Sequence, residues 1–256
     1  MEKLIPPKLY KFQSYNSNSF ENLKNQCVWF SKPEKFNDPF DCSISYMMNN
    51  ISKKNWRIIG KYFSDYWAED TDEARKSRMS KFLQDKTIKT DTRNIVASIL
   101  IKNVKEGLKK DFDNLGIVCL TEKPDNILMW SHYADGHRGF CLEFNTSFAP
   151  FSGAEKVKYA KKLPILRLKD DPDLDLTRDI VLTKSKGWAY EKEWRIIREG
   201  GDTGVIYESA SLTGIYFGCA MPKSQKGILT KIFLGTSVKI YEMKRHENEF
   251  KVSFNT

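Results

Sequence analysis

The chain lacks the local motifs that announce a reaction. It has no Gly-x-Gly-x-x-Gly, no Walker loop, no His-Glu-x-x-His and no Gly-x-Ser-x-Gly. The usual signatures of dinucleotide binding, phosphate cradling, zinc hydrolysis and serine attack are therefore missing. Histidine is scarce, with only three residues, two of which (His132 and His137) fall within one short stretch. The five cysteines are odd in number and never form Cys-x-x-Cys. That pattern fits reduced thiols serving mostly as small core residues. No run approaches the roughly 18 apolar residues of a spanning helix. Met1 to Leu9 carries charge and prolines in place of a signal peptide's apolar stretch. A soluble, cytoplasmic protein with no membrane partner is expected.

What is present supports a substantial core. Aromatic residues make up 13% of the 256, too many for a disordered chain. Lys plus Arg outnumber Asp plus Glu by 42 to 33, a net charge of +9. This suits nucleic acid, an anionic nucleotide or an acidic partner, although the charges are interspersed rather than gathered in a block. Alternating apolar residues predict strands at Lys8–Phe12, Cys27–Ser31, Gly116–Thr121, Gly139–Phe144, Lys156–Ala160, Trp194–Arg198, Val205–Glu208 and Leu212–Gly218. A terminal hairpin is predicted from Val238–Arg245 and Phe250–Phe254. Helices are predicted at Ser17–Lys24, Asn126–Ala134 and Pro222–Leu234, and from about Asp173. Residues 51–110 are charged, nearly free of glycine and apolar at helical spacing, which predicts three helices. The expectation is one α+β domain with a mixed, mostly antiparallel sheet and a helical insertion over 51–110.

Three segments carry candidate chemistry. Gly187 to Arg198 contains Glu191-x-Glu193-x-Arg195. Read as a strand, it sets two carboxylates and a guanidinium on one face and Tyr190, Trp194 and Ile196 on the other. Paired carboxylates raise at least one pKa, and Arg195 offsets that. Met129 to Glu143 packs Ser131, His132, Tyr133, Asp135, His137 and Arg138 into a helix-to-strand turn, with Gly136 and Gly139 allowing a tight backbone. The spacing of His132 and His137 does not stack them on one helix face, so no metal site is expected there. Trp29 to Asp41 is a proline-punctuated loop in which Asn37 and Asp38 suit a turn and Ser31 ends a strand. On the first strand, Lys11 can reach an anionic ligand.

Taken together, Leu9-Tyr-Lys-Phe12, Trp29-Phe-Ser-Lys-Pro33, Phe36-Asn-Asp-Pro-Phe40, Met129-Trp-Ser-His-Tyr133, Gly139-Phe-Cys-Leu-Glu-Phe144 and Tyr190-Glu-Lys-Glu-Trp-Arg195 resemble the bacterial domain of unknown function 2971. That family name implies no activity. The chain is also similar to ADP-ribosyltransferase-like folds, which carry a basic residue or His on the first strand, a Ser or Tyr on a following strand and a Glu, often in Glu-x-Glu, on a later one. Tyr10-Lys11, Ser31 and Glu191-x-Glu193 stand near those positions, with Lys11 where that fold carries Arg or His. The resemblance implies an NAD- or nucleotide-using enzyme, a transferase or glycohydrolase, with NAD as substrate and a role as a toxin or anti-phage effector. Glu193 would face the cation left on the ribose, Glu191 would orient the acceptor, and Tyr10 or Tyr133 would stack on nicotinamide. Two rival readings are a non-enzymatic nucleotide- or nucleic-acid-binding module and a metal-dependent phosphodiesterase using Asp38, Asp41, Glu191 and Glu193.

Overall fold

The computed structural model describes residues 5–43, 45–46, 102, 106–166 and 176–254. The chain forms two compact units. The first comprises Met1–Asp41, Asp113–Lys161 and Leu182–Thr256; the second comprises Cys42–Phe112 and Lys162–Val181. Most of the helical stretch expected at 51–110 lies outside the described residues. Of that stretch, residues 102 and 106–110 are described, and they are helical.

Fourteen strands are described: β1 Lys8–Gln13, β2 Cys27–Phe30, β3 Ser45–Tyr46, β4 Leu115–Thr121, β5 Phe140–Asn145, β6 Glu155–Lys156, β7 Lys158–Ala160, β8 Ile165–Leu166, β9 Thr183–Ser185, β10 Glu193–Glu199, β11 Thr203–Ile206, β12 Leu212–Phe217, β13 Lys239–Arg245 and β14 Val252–Phe254. Eight of them build the main sheet in the order β14-β13-β12-β5-β1-β4-β10-β6. Every neighbouring pair in it is antiparallel except β12 with β13. Parallel neighbours need a crossover, and the helix Lys223–Ile232 supplies it. The fold is α+β with a mixed, mostly antiparallel sheet, as the alternation of the sequence predicts. Among the described residues no helix is long and apolar enough to cross a membrane.

Pleating decides what each face of the sheet buries. Val118, Leu120, Trp194 and Ile196 join Phe140, Leu142, Phe144, Ile215 and Phe217 in one core cluster. Cys141 and Tyr216, on the alternate positions, join Phe12, Met129, Trp130, Met243 and Val252 in a second cluster. The helix Ile127–Tyr133 covers this second face. Asn126 caps it by accepting from the backbone N–H of Leu128 and Met129, and Trp130 donates its indole N–H to the Pro124 carbonyl. The helix Ser17–Lys24 starts in a capping box in which Asn16 and Ser19 satisfy each other's backbone.

Three expectations change on folding. The strand expected at Lys156–Ala160 is divided: β6 pairs with β10, whereas β7 pairs in parallel with β9. The helix expected from about Asp173 forms over Leu176–Val181, but β8 before it and β9 after it are additional strands, too short for a periodicity signal. Lys186–Glu191 is a 3-10 helix rather than strand, and Lys192 sits in the left-handed region (φ 47°) between it and β10. Glu191 therefore does not share a strand with Glu193 and Arg195.

Candidate functional site

β1 and β4 are neighbours in the main sheet, yet they meet at one residue pair, Tyr10 with Thr121. Further along β4, Ser31 takes over and exchanges both backbone hydrogen bonds with Ile117. Where β1 leaves β4, a cleft of about 240 Å³ opens, lined by Lys11, Phe12, Cys119, Tyr133, Glu191 and Glu193, and at its rim by Lys35, Phe36 and Asn37.

The floor of the cleft is a continuous chain of charged hydrogen bonds. Tyr133 donates to Glu191 Oε1 at 2.7 Å, and Lys184 Nζ reaches Glu191 Oε2 at 2.5 Å and Glu193 Oε2 at 3.0 Å. Arg195 grips Glu193 (Nε to Oε1 2.8 Å, Nη2 to Oε2 3.1 Å) and also Asp41 (Nη1 to Oδ1 2.9 Å, Nη2 to Oδ2 2.6 Å). Glu191, Glu193 and Lys184 are buried, and Arg195 has no exposed surface. Charges so placed survive only when paired and hydrogen-bonded, and here they are. Rings complete the packing: Phe36 lies 5.3 Å from the Arg195 guanidinium and Trp188 lies 5.2 Å from Lys184 Nζ.

The local fold explains the convergence of the two acids. Ser185 accepts from the Gly187 N–H and starts the 3-10 helix. Thr121 donates to the Glu191 carbonyl at 2.5 Å, and Asn126 donates to the Tyr190 carbonyl at 2.8 Å. Tyr159 accepts from the Glu193 N–H at 2.8 Å. The turn at Lys192 then swings the chain into β10. There, pairing with β4 sets Arg195 opposite Cys119 and points Trp194 and Ile196 into the core.

The environments drive the two glutamates apart. Burial opposes ionisation of Glu193, but Arg195 and then Lys184 outweigh it and hold its carboxyl well below the usual range. Burial raises Glu191; Lys184 offsets this only in part, and the charge on Glu193 adds to the rise. Lys184 itself is pushed up by both acids against the pull of burial. Lys11, across the cleft, is lowered because burial outweighs the attraction of Cys119 and Glu193. Among the described residues its ammonium has no hydrogen bond or ion pair. Formally the cleft holds three carboxylates (Asp41, Glu191, Glu193) against two bound cations (Lys184, Arg195), with Lys11 available to a ligand.

Of the residues singled out in the sequence, the fold gathers Lys11, Asn37, Tyr133, Glu191, Glu193 and Arg195 at this cleft. Asn37 Nδ2 approaches the Tyr133 hydroxyl at 3.5 Å. The others lie elsewhere. Tyr10 faces Tyr216 and Glu143 on the alternate side of β1, so Tyr133 is the ring available for stacking. Ser31 does not line the cleft. Asp38 is buried, its carboxylate accepts from the Phe40 N–H as a turn, and it does not line the cleft. Among the described residues no three His, Cys, Asp or Glu side chains are arranged to hold a metal ion. His132 lies among Tyr133, Trp188 and Tyr190. Arg138 pairs with Asp135 in the open, and Ser131 and His137 bond to each other. Lys184 was missed: Thr183-Lys-Ser-Lys186 reads as a solvated stretch, and only the short β9 turns Lys184 inward. Tyr159 was missed for the same reason.

Fold and site together define an α+β protein with a cleft between splayed strands over a buried network of acids and bases. Residues 129–196 match the family model described as Protein of unknown function (DUF2971), and this supports the family resemblance carried by the motifs. The matched stretch holds Tyr133, Lys184, Glu191, Glu193 and Arg195. No curated protein and no solved structure matches the chain.

Proposed function

We propose that the protein is a nucleotide-using enzyme that binds NAD or a related nucleotide in this cleft and breaks its nicotinamide bond, by hydrolysis or by transfer to an acceptor. The observation that supports this reading is the pair of buried glutamates with opposed pKa shifts, facing a cleft that also offers a lysine with no partner among the described residues. Two carboxyls whose environments separate their pKa values are suited to separate roles. Glu193, held ionised by Arg195 and Lys184, would face the positive charge that develops on the ribose as nicotinamide leaves. Glu191, raised and held by Tyr133, suits proton transfer to or from the attacking hydroxyl or water. Lys11 suits an anionic group, and the Tyr133 ring suits stacking on a base. At about 240 Å³ the cleft is just under the roughly 300–1,000 Å³ of typical ligand pockets. It takes the reacting end of a dinucleotide, with the remainder outside.

The test is chromatographic detection of nicotinamide released from NAD by the purified full chain. Turnover by wild type, lost in Glu193→Gln with an unchanged circular dichroism spectrum, supports the reading. Neither turnover nor NAD binding by wild type removes it. A role as a toxin or anti-phage effector rests on the resemblance alone.

A further inference from the structure

We propose that Cys219 is a nucleophilic thiol with His137 as its base, and that it forms mixed disulfides with low-molecular-weight disulfides. The site is separate from the cleft and does not depend on its chemistry, since neither residue lines it. Cys219 Sγ lies 3.7 Å from His137 Nδ1, and His137 Nε2 lies 3.2 Å from Ser131 Oγ. A nucleophile within reach of a base whose far side is held by a third group is the general signature of an activated nucleophile. The hydrogen bonding also assigns the imidazole tautomer. Ser131 gives its hydroxyl proton to the Ile127 carbonyl at 2.9 Å. Its oxygen is then an acceptor toward His137, so Nε2 carries the ring proton and Nδ1 presents its lone pair to the thiol.

The backbone holds this arrangement under constraint. His137 occupies the left-handed region at φ 67°, unusual for a residue with a side chain. Its carbonyl accepts from the Ala220 N–H at 3.0 Å, and the Gly139 carbonyl accepts from the Gly218 N–H at 3.0 Å, so Cys219 is clamped against the turn from both sides. A Cβ at Gly218 would come within 2.1 Å of the His137 carbonyl oxygen. Trp130 stacks on the imidazole with planes 15° apart. Burial alone lowers the His137 pKa, which favours the neutral form that can accept a proton. The charged groups on the same turn, Asp135 and Arg138, are paired with each other. Cys219 and His137 are partly exposed, as Cys27 and Cys119 are, and burial pushes the thiols of Cys27, Cys119 and Cys141 up. These three are internal controls.

In the step itself, His137 Nδ1 takes the thiol proton and Cys219 Sγ attacks one sulfur of the disulfide. The S–S bond breaks, and the departing thiolate takes a proton from the imidazolium. Protein thiol plus disulfide thus becomes protein mixed disulfide plus free thiol. The experiment treats the full chain with oxidised glutathione and follows adducts at each cysteine by peptide mass spectrometry. Cys219 is expected to react first, and His137→Asn, which tolerates the left-handed backbone, should slow it on the order of 100-fold. The proposal is overturned if Cys219 reacts no faster than Cys27. It is equally overturned if a folded His137→Asn reacts at the wild-type rate. Should that variant not fold, the wild-type pH–rate profile decides. An inflection below the ordinary histidine value of 6.5 supports the pair, and a single inflection near the free-thiol value of about 8.5 overturns it.

Discussion

Replacing Lys184 with methionine removes the cation shared by the two glutamates while keeping an unbranched side chain of similar length. Glu193 retains Arg195 on both oxygens, but Glu191 loses its one cationic contact among the described residues and keeps the Tyr133 hydroxyl. Removing one partner of a buried pair costs about 3–5 kcal/mol. Lys184 and Glu191 are both almost fully buried, so little of that figure is lost to solvent screening. At about 2–4 °C per kcal/mol for a chain of this size, Tm should fall by roughly 6–20 °C. The loss should be smaller at acid pH, because a protonated Glu191 needs no cation. Adding Glu191→Gln to Lys184→Met should recover about half of the loss or more, since the stranded charge is then gone. Urea midpoints of wild type, both single variants and the double variant close the cycle. A Lys184→Met cost under about 1 kcal/mol, or a double variant no more stable than Lys184→Met, refutes the reasoning.

Other outcomes follow from the same geometry. Because the folded pKa of Glu191 is raised, wild-type stability should rise slightly as pH falls through it, and Glu191→Gln should remove that rise. The depressed Glu193 works the other way: its contribution is complete above its ordinary value of 4.5 and is lost as pH falls below it toward the folded value. Glu193→Gln should therefore flatten the acid limb of a urea-midpoint titration, and an unaltered limb would contradict the assignment. Gly139→Ala places a Cβ 2.1 Å from the Gln13 carbonyl oxygen and should cost at least about 1–3 kcal/mol by overpacking in thermal melts. Glu143→Leu removes the carboxylate that accepts from the Tyr216 hydroxyl and pairs with Lys8 and should lower the urea midpoint by more than Glu249→Ala at the surface.

Much of the sheet was legible from alternation. β1, β4, β5, β10 and β12 each carry apolar residues at every second position and are flanked by turn residues, so pattern and fold agree. The helix Ser17–Lys24 and the hairpin of β13 and β14 were readable from local chemistry. The cleft was only half legible. Glu191 and Glu193 stood out because two acids and an arginine among aromatics are expensive to bury. Their relation was misread, since the left-handed Lys192 ends a 3-10 helix whose six residues look like strand. Lys184 and Tyr159 were hidden because long-range pairing, of β7 with β9 and of β10 with β6, turns them inward. The single paired residue between β1 and β4 leaves no mark in either strand's sequence. The His132-to-Arg138 turn read as one polar corner; in the fold Tyr133 faces the cleft, His132 packs beside Trp188, and His137 turns toward Cys219.

Calorimetric titration of NAD into the full chain, wild type against Lys11→Met, probes the cleft without requiring turnover. Lys11 has no partner among the described residues, so the variant should fold as stably as wild type and bind NAD about 10- to 100-fold more weakly, the worth of one charged hydrogen bond. Wild type that fails to bind, or equal affinity in a folded Lys11→Met, would contradict the claim that this cleft receives a nucleotide.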